Sequence, residues 1–385
     1  MVQTRSTLTV IIAVSMVSAI GGLVFNTMPL LLNSVSTALG FGAEQLGTLS
    51  LCAGLGYLVG TLSGPLWVDR VNWKLAGFII VALAALSFAS AAMMDAKSIA
   101  ISFTSFAFFC ALAIALAMRV LAEMPNPERA FGVRLSVELL SIGVFLGILP
   151  VYFIANSGLS GAMFGLAGFT ILLGLGAVLM PKRAENSLAA QTKGFPSWLQ
   201  AKPAWVMLFI FLIYLLANVG LFFFLAVIAQ GFDPSPEQFG LMFSVLKWLG
   251  GAAGILGAII GAKFGTRLPH LAAFLILIVG VIGLFAANSM NSFMIASWVW
   301  EFGFTLGCLY QTAAIARFDP TNKLVVLVPA AFGVSMLLGG KIAGQLLEGG
   351  TPTALYVLVA LCSILPSIFI LSSRTHTPAP NALEV

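Results

Sequence analysis

Residues 44–47 read Glu-Gln-Leu-Gly, and after an apolar segment of helical length residues 69–74 read Asp-Arg-Val-Asn-Trp-Lys. Residues 237–240 read Glu-Gln-Phe-Gly, and after a second apolar segment residues 262–267 read Ala-Lys-Phe-Gly-Thr-Arg. The second copy starts 193 positions after the first, at 237 instead of 44, and its basic residue at 263 follows the one at 70 by the same interval. The same pattern therefore occurs twice at a fixed distance.

A third pair of motifs has the same offset. Asn-Pro at 126–127 is followed 193 positions later by Asp-Pro at 319–320. Three matches at one offset indicate an internal duplication, which in a membrane protein is typical of two-fold transporter architectures.

The composition is that of a membrane protein. The 385 residues are 60% hydrophobic and 8% charged, and the mean hydropathy is +1.07. Since a soluble domain is about 25% charged, most of the surface must face a solvent other than water. The apolar runs last roughly 20 residues, the length of a spanning helix, whereas a barrel strand needs roughly 10. We therefore expect an all-α integral membrane protein.

Apolar runs between charged or Pro- and Gly-bearing breaks predict twelve transmembrane helices. They are residues 8–32, 46–68, 75–94, 99–122, 130–155, 161–180, 205–229, 239–261, 268–287, 293–315, 324–347 and 354–371. The predicted domains are two pseudo-symmetric six-helix bundles, at 1–180 and 204–373. A cytoplasmic connector at 181–203 joins them, and a cytoplasmic tail follows at 374–385.

Basic residues are distributed unequally between the two sides of this topology. With a cytoplasmic N-terminus the inner side holds Arg5, Arg70, Lys74, Arg129, Lys182, Arg183, Lys193, Lys202, Lys263, Arg267, Arg317, Lys323 and Arg374. The outer loops hold Lys97. The positive-inside rule therefore predicts a multi-pass protein of the inner (plasma) membrane with both termini in the cytoplasm. We expect a monomer in contact with membrane lipids. The net charge of +5 does not indicate a nucleic-acid partner, because these residues are confined to loops.

The residues that cofactors and catalysis need are sparse. The four cysteines lie inside apolar runs without paired spacing, so we expect no disulfide, no metal and no cofactor. The histidines, His270 and His376, fall at an inner loop and in the tail, and no paired acids or nucleophile motif occur. No Gly-x-x-x-x-Gly-Lys-Ser/Thr loop is present, so direct ATP coupling is not expected. An enzyme is therefore disfavoured.

The loop after the second predicted helix resembles the signature loop of the major facilitator superfamily. That signature is glycine, three residues, aspartate, a basic residue, one residue, glycine and then two basic residues. Asp69, Arg70 and Lys74 fit its charged positions, Pro65 stands in place of the first glycine, and Asn72 replaces the second. We expect Asn72 to be tolerated because asparagine also adopts positive φ. The resemblance implies a twelve-helix fold of two bundles that transports a small molecule.

Two features of the family's multidrug–proton antiporters are absent. The span-four arginine of many proton-coupled members falls at about Ser102, and the span-five antiporter pattern is reduced to Gly143, Gly147 and Pro150. Both absences count against a typical drug antiporter without excluding one.

The charged loop is a candidate gate at the inner side. Asp69 favours a helix N-terminus, and Arg70 and Lys74 favour C-terminal carbonyls or anionic headgroups. Such contacts form in one arrangement of the bundles and break in another. We place Arg134 in the same gating group. The alternative interpretation is an ordinary charged turn that obeys the positive-inside rule.

Four ionisable residues fall deep inside predicted helices: Glu138, Lys247, Glu301 and Lys341. A charge at the bilayer centre costs at least ~2.5–3.5 kcal/mol on insertion scales, so each needs a partner or a wet cavity. Helix rise places the last three near one level. In one interpretation a lysine forms a buried ion pair with Glu301. In the other, two lysines and one acid leave a positive charge that binds an anionic, carboxylate-bearing substrate.

A proton carrier is also predicted among these residues. Glu138 lies one turn after Arg134, so the two can form a structural pair, or Glu138 can load and release a proton. Glu301 competes for that role. Neutral polar residues that can line the cavity, or else bond between helices, are Asn26, Tyr214, Asn218, Tyr310 and Gln311.

These patterns favour a secondary transporter that moves a small organic solute, anionic or carboxylate-bearing, by proton-coupled alternating access. One alternative is a proton-coupled efflux antiporter for drugs or hydrophobic compounds. A second alternative, of another class, is a channel or receptor-like membrane protein without active transport.

Overall fold

The computed structural model describes residues 7–124, 127–182, 202–260, 267–318 and 328–372. Every regular element in these ranges is helical. The twelve α-helices are α1 (Thr7–Leu39), α2 (Ala43–Trp67), α3 (Trp73–Ala91), α4 (Ile99–Ala122), α5 (Pro127–Ile148), α6 (Ala155–Gly174), α7 (Lys202–Ala229), α8 (Pro236–Ile260), α9 (Arg267–Ala286), α10 (Met290–Phe318), α11 (Val328–Leu347) and α12 (Thr353–Ser372). Most of the predicted connector and the whole predicted tail lie outside the described residues.

Eleven segments of the described chain are long and apolar enough to cross a membrane, and one of them, Gly132–Leu179, has 48 residues. A straight helix of that length would extend ~72 Å, more than twice the ~30 Å hydrocarbon thickness. The chain turns back instead at Gly158, whose φ of 55° favours glycine. Gly161 then packs against the backbone of Phe153, which leaves no room for a side chain. This segment therefore covers both α5 and α6, and Phe145 of α5 stacks on Phe169 of α6 at 4.1 Å between ring centroids.

The duplicated motif has a structural counterpart. Helix α2 begins at residue 43 and α8 begins at residue 236, so α8 starts 193 positions after α2. The glutamine of each copy caps its helix. Gln45 Oε1 accepts from the Gly42 N–H at 3.0 Å, and Gln238 Oε1 accepts from the Ser235 N–H at 2.9 Å. Each contact satisfies an N–H that would otherwise have no partner at the helix start.

The α2–α3 turn differs from the expectation. Asn72 has φ −73° and ψ 112°, and its Oδ1 accepts from the Leu75 N–H at 3.1 Å. It is the N-cap of α3, and an N-cap has extended backbone. The prediction that Asn72 stands in for a glycine with positive φ is therefore wrong.

Helices α1 and α7 lie at the centre of the molecule. Their apolar spans are 67% and 72% buried, the highest values among the described spans. Three helix pairs make the most extensive contacts between the first six helices and the last six: α1 with α7, α2 with α11, and α5 with α8. We call these pairs the three seams. We call the end with the α1–α2 connection the α1–α2 end, and the opposite one the α2–α3 end.

Direct hydrogen bonds cross all three seams, and the one between α11 and α2 is donated by Lys341 to Glu44. Gln230 Nε2 donates to Asn33 Oδ1 at 3.1 Å between α1 and the end of α7. Ser244 Oγ donates to the Gly143 carbonyl at 2.7 Å between α8 and α5. Both contacts lie in the helix halves nearest the α1–α2 end, so hydrogen bonds hold the seams together there.

Candidate functional site

A buried ion pair joins α8 to α10. Lys247 Nζ lies 3.4 Å from Glu301 Oε1, and the two side chains are 4% and 5% exposed. The ammonium also lies 4.0 Å from the ring centroid of Phe222 on α7 and 5.7 Å from that of Phe25 on α1, in a cation–π arrangement. The structure thus has the ion pair that one interpretation of the sequence predicts for Lys247.

A second charged pair lies on α5. Arg134 Nη2 donates to Glu138 Oε2 one turn later, and Arg134 Nε donates to Ser18 Oγ of α1 at 2.7 Å. Glu138 is buried against Gly22 of α1, where a Cβ would collide with its carboxylate. The predicted contact between Arg134 and Glu138 is confirmed, and the roles of the two residues in gating and proton transfer stay predictions.

The two pairs lie on the two helices of the α5–α8 seam. Glu138 and Lys247 lie close enough for an electrostatic interaction between carboxylate and ammonium. Arg134, Glu138, Lys247 and Glu301 therefore form an alternating series of charges that starts in the first half of the chain and ends in the second. We call these four residues the charge row. Its formal charge is zero when both carboxylates are ionised.

Lys341 lies apart from the charge row. Its Nζ is 2.9 Å from Glu44 Oε1 and 3.1 Å from Thr48 Oγ1, and the side chains of Lys341 and Glu44 are 25% and 54% exposed. Glu44 is in the first turn of α2, so this pair lies on the α2–α11 seam at the α1–α2 end. The prediction that Lys341 lies with Lys247 and Glu301 is therefore wrong. Each lysine has its own carboxylate, so the charge count that predicted an unbalanced lysine fails.

Two of the predicted neutral contacts bond to the helix backbone. Asn26 Nδ2 donates to the Gly22 carbonyl at 2.8 Å within α1. The Tyr214 hydroxyl of α7 donates to the Phe304 carbonyl of α10 at 3.0 Å. Both side chains are buried.

Asn218 is bonded at both ends of its amide. Its Nδ2 donates to the Tyr214 carbonyl at 2.9 Å and to Ser363 Oγ at 3.3 Å, and its Oδ1 accepts from Trp300 Nε1 at 3.0 Å. These bonds tie α7 to α10 and α12. They are the interhelical bonds of the alternative interpretation, and substrate contact by Asn218 stays a prediction.

Helix α10 carries most of the buried polar atoms that lack partners. Of six such side-chain atoms in the described residues, four belong to α10: Glu301 Oε2, the Tyr310 hydroxyl oxygen and both amide atoms of Gln311. Tyr310 packs in a small cluster with residues of α8 and α9, such as Ala253 and Ala273. Gln311 lies instead on the side of Gly307, where α10 meets Tyr214 of α7.

A cavity of about 290 Å³ opens at the α1–α2 end, between α1, the α5–α6 turn and the α7–α8 connection. Its lining is mostly apolar, for example Pro150 and Phe239, with Asn33 and Gln230 as polar members. None of the residues predicted to bind substrate lines it.

Comparison with known proteins decides the family. The model of the Major Facilitator Superfamily matches residues 10–323, which is most of the chain. The chain belongs to the Major Facilitator Superfamily. Among curated proteins no match is found.

Solved structures of other transporters share the fold. The D-xylose–proton symporter superimposes with a TM-score of 0.77 at 12% identity, covering 95% of this chain and 97% of the symporter. The nucleoside transporter NupG gives 0.75 at 13% identity over 96% and 99% of the two chains. An inward-facing bacterial homologue of the human lysosomal transporter Spinster gives 0.66 at 14% identity over 96% and 95%. At these identities the likeness concerns the fold alone.

The signature loop of this superfamily member binds an arginine that the sequence analysis missed. Asp69 Oδ1 accepts from Arg119 Nε at 2.8 Å, and Arg119 also pairs with Glu123. The guanidinium lies 5.7 Å from the ring centroid of Trp73. A basic residue in the last turn of the predicted helix 99–122 was the available signal. Arg70 is exposed and Lys74 half-buried in the same region. Their gating role stays a prediction.

Proposed function

We propose that this superfamily member is a proton-coupled secondary transporter of a small organic anion. In this proposal twelve helices cross the membrane as two six-helix bundles, residues 1–180 and 204–373, which rock about the three seams. The matching starts of α2 and α8 and the repeated glutamine caps support two equivalent halves. Rocking of such halves alternately exposes a central site to either side.

The charge row is the observation that carries the proposal. It connects the two halves through Glu138 and Lys247, and its members are largely withdrawn from solvent. Charges this deep are rare in membrane helices and typically mark proton and substrate pathways. Protonation of either carboxylate would leave the row with one net positive charge. A proton would thereby change the attraction between the halves.

The same charge change connects the proton to the substrate. With Glu301 neutral, Lys247 would lose its counter-ion and favour a carboxylate on the solute. Proton and anion would then enter together and leave together, as in a symporter. The proposal of an anionic substrate therefore rests on protonation of Glu301. It does not require a lysine that lacks a partner while Glu301 is ionised.

Aromatic rings around Lys247 favour a second candidate, the efflux of hydrophobic compounds by proton exchange. Phe25 stacks on Phe222 at 5.2 Å between ring centroids and meets Phe332 edge-on at 6.3 Å. With the charge row neutral, this aromatic wall suits an apolar or cationic solute.

We propose that the protein lies in the plasma membrane with both termini in the cytoplasm, because the basic residues are concentrated in the loops on that side. The α1–α2 end then faces outward, and the hydrogen bonds across the seams hold that outer end together.

Reconstituted proteoliposomes test the function. We expect labelled organic acid to exchange by counterflow and to drive uptake of protons into the vesicles. A channel would show conductance without counterflow, and an efflux antiporter would move cationic drugs and leave the acids outside. Either result would contradict the proposal.

A further inference from the structure

Gln311 is the most completely unpartnered polar side chain of the described residues. It is 0% exposed, and neither Oε1 nor Nε2 has a hydrogen-bond partner. An amide left this way loses its bonds to water and gains none in return, so the folded protein is less stable for it. A residue of this kind in a transporter requires a reason other than folding.

The surroundings of Gln311 are shared between two helices. A Cβ added to Gly307, one turn earlier on α10, would lie 3.8 Å from Gln311 Nε2 and 2.6 Å from the Tyr214 hydroxyl oxygen of α7. Glycine at 307 therefore keeps a close α7–α10 approach beside the amide. Both helices are held firmly there, because Tyr214 also donates to the Phe304 carbonyl.

Asn218 provides an internal comparison on the same pair of helices. It is also 0% exposed, yet its amide makes bonds to Tyr214, Ser363 and Trp300. The fold thus satisfies one buried amide fully and leaves the other without a bond. Elsewhere on α10 Glu301 and Tyr310 each leave one buried polar atom without a partner, whereas Gln311 leaves two.

We propose that the Gln311 amide forms hydrogen bonds with a hydroxyl or amide group of the transported solute, and so sets specificity for polar over aliphatic organic acids. This inference rests on the proposed function. The amide offers donors and an acceptor side by side, which complements a hydroxyl or an amide. Gln311 lies ten residues after Glu301, roughly 15 Å along α10. It therefore lies between the charge row and the α2–α3 end, and would contact the solute at a second position on its way through the protein.

The test replaces the amide by an apolar side chain of similar size. We expect Gln311→Leu to raise the Tm of the detergent-solubilised protein or leave it unchanged, since no bond is lost. Asn218→Leu is the matched control and should lower the Tm, because three partners lose their bonds. If Gln311→Leu destabilises the protein as Asn218→Leu does, Gln311 has a structural role and the proposal fails.

Transport of two six-carbon acids completes the test. Gluconate carries hydroxyls and hexanoate carries none, so wild type should take up gluconate with the lower KM. Gln311→Leu should remove about tenfold of this preference, as expected for the loss of one or two hydrogen bonds, and uptake should still respond to pH. An unchanged preference would overturn the role of Gln311. If the wild-type protein shows no pH-driven uptake of either acid, the proposed function fails instead.

Discussion

Lys247 and Lys341 are both lysines inside apolar helices, but their environments differ. Lys247 is buried with Glu301, whereas Lys341 pairs with Glu44 where both are partly exposed. Removing one partner of a buried pair leaves an uncompensated charge and costs about 3–5 kcal/mol. An exposed pair contributes about 0–1 kcal/mol. We therefore expect Lys247→Ala to lower the Tm strongly and Lys341→Ala to change it little.

A double variant separates charge compensation from packing. Lys247→Met combined with Glu301→Gln removes both charges and keeps side chains of similar size. The Tm of the double variant should recover most of what Lys247→Ala loses, because no buried charge is left without a partner. The double variant should not transport organic acids, because it lacks the lysine that binds the anion. A double variant as unstable as the single one would mean that the pair acts by shape and not by charge.

The residue types in the charge row could be read from the sequence, but their pairing could not. An ionised residue within an apolar helix is visible at once, as Glu138 and Glu301 were. Which carboxylate faces which lysine depends on helix rotation, which the spacing of the chain does not specify. Lys341 was misplaced for this reason: helix rise predicts depth along the membrane but not the neighbour across a seam.

At the scale of helices, the α2–α11 seam holds the α1–α2 end together. Glu44 accepts from Lys341, and the Glu44 N–H donates to Glu348 Oε2 at 2.9 Å. Backbones come close beside this pair, since a Cβ on Gly47 would lie 2.8 Å from the Gly340 carbonyl oxygen. These contacts form a latch between the two halves.

Charge reversal tests the latch. Glu44→Lys sets two cations against each other, which costs about 1 kcal/mol in water and shifts the open population roughly fivefold. A maleimide that does not cross membranes should then label a cysteine at Ser34 several-fold faster, in a background without the native cysteines. The exchanged pair, Glu44→Lys with Lys341→Glu, should return labelling to its original rate. Equal labelling in all three variants would show that the pair does not hold this end.

Helix positions followed from hydropathy more reliably than the turns did. The predicted segment 99–122 is α4 without change, because charged residues and a loop bound it on both sides. The end of α5 could not be predicted from hydropathy. A π-helical stretch, Leu149–Ile154, includes Pro150, which lacks the N–H that an α-helix uses. Asn72 was misjudged since its capping role depends on where α3 begins.

At the scale of the whole molecule, the duplication is the feature that the sequence revealed best. An offset of 193 residues predicted that α8 repeats α2, and the starts of the two helices agree. The halves differ where the chemistry lies. Lys247 and Glu301 of the second half correspond by this offset to Gly54 and Phe108 of the first. The charge row therefore has no counterpart at the positions that this offset relates, and the duplication alone could not have located it.

We propose that the charge row couples a proton to movement of the two halves, and the variant Glu301→Gln separates these two events. The variant carries a permanently neutral side chain of the same shape at this position. In proteoliposomes we predict that it exchanges labelled organic acid across the membrane but no longer accumulates it under an imposed pH gradient. Accumulation equal to that of the wild type, at the same gradient, would contradict the account.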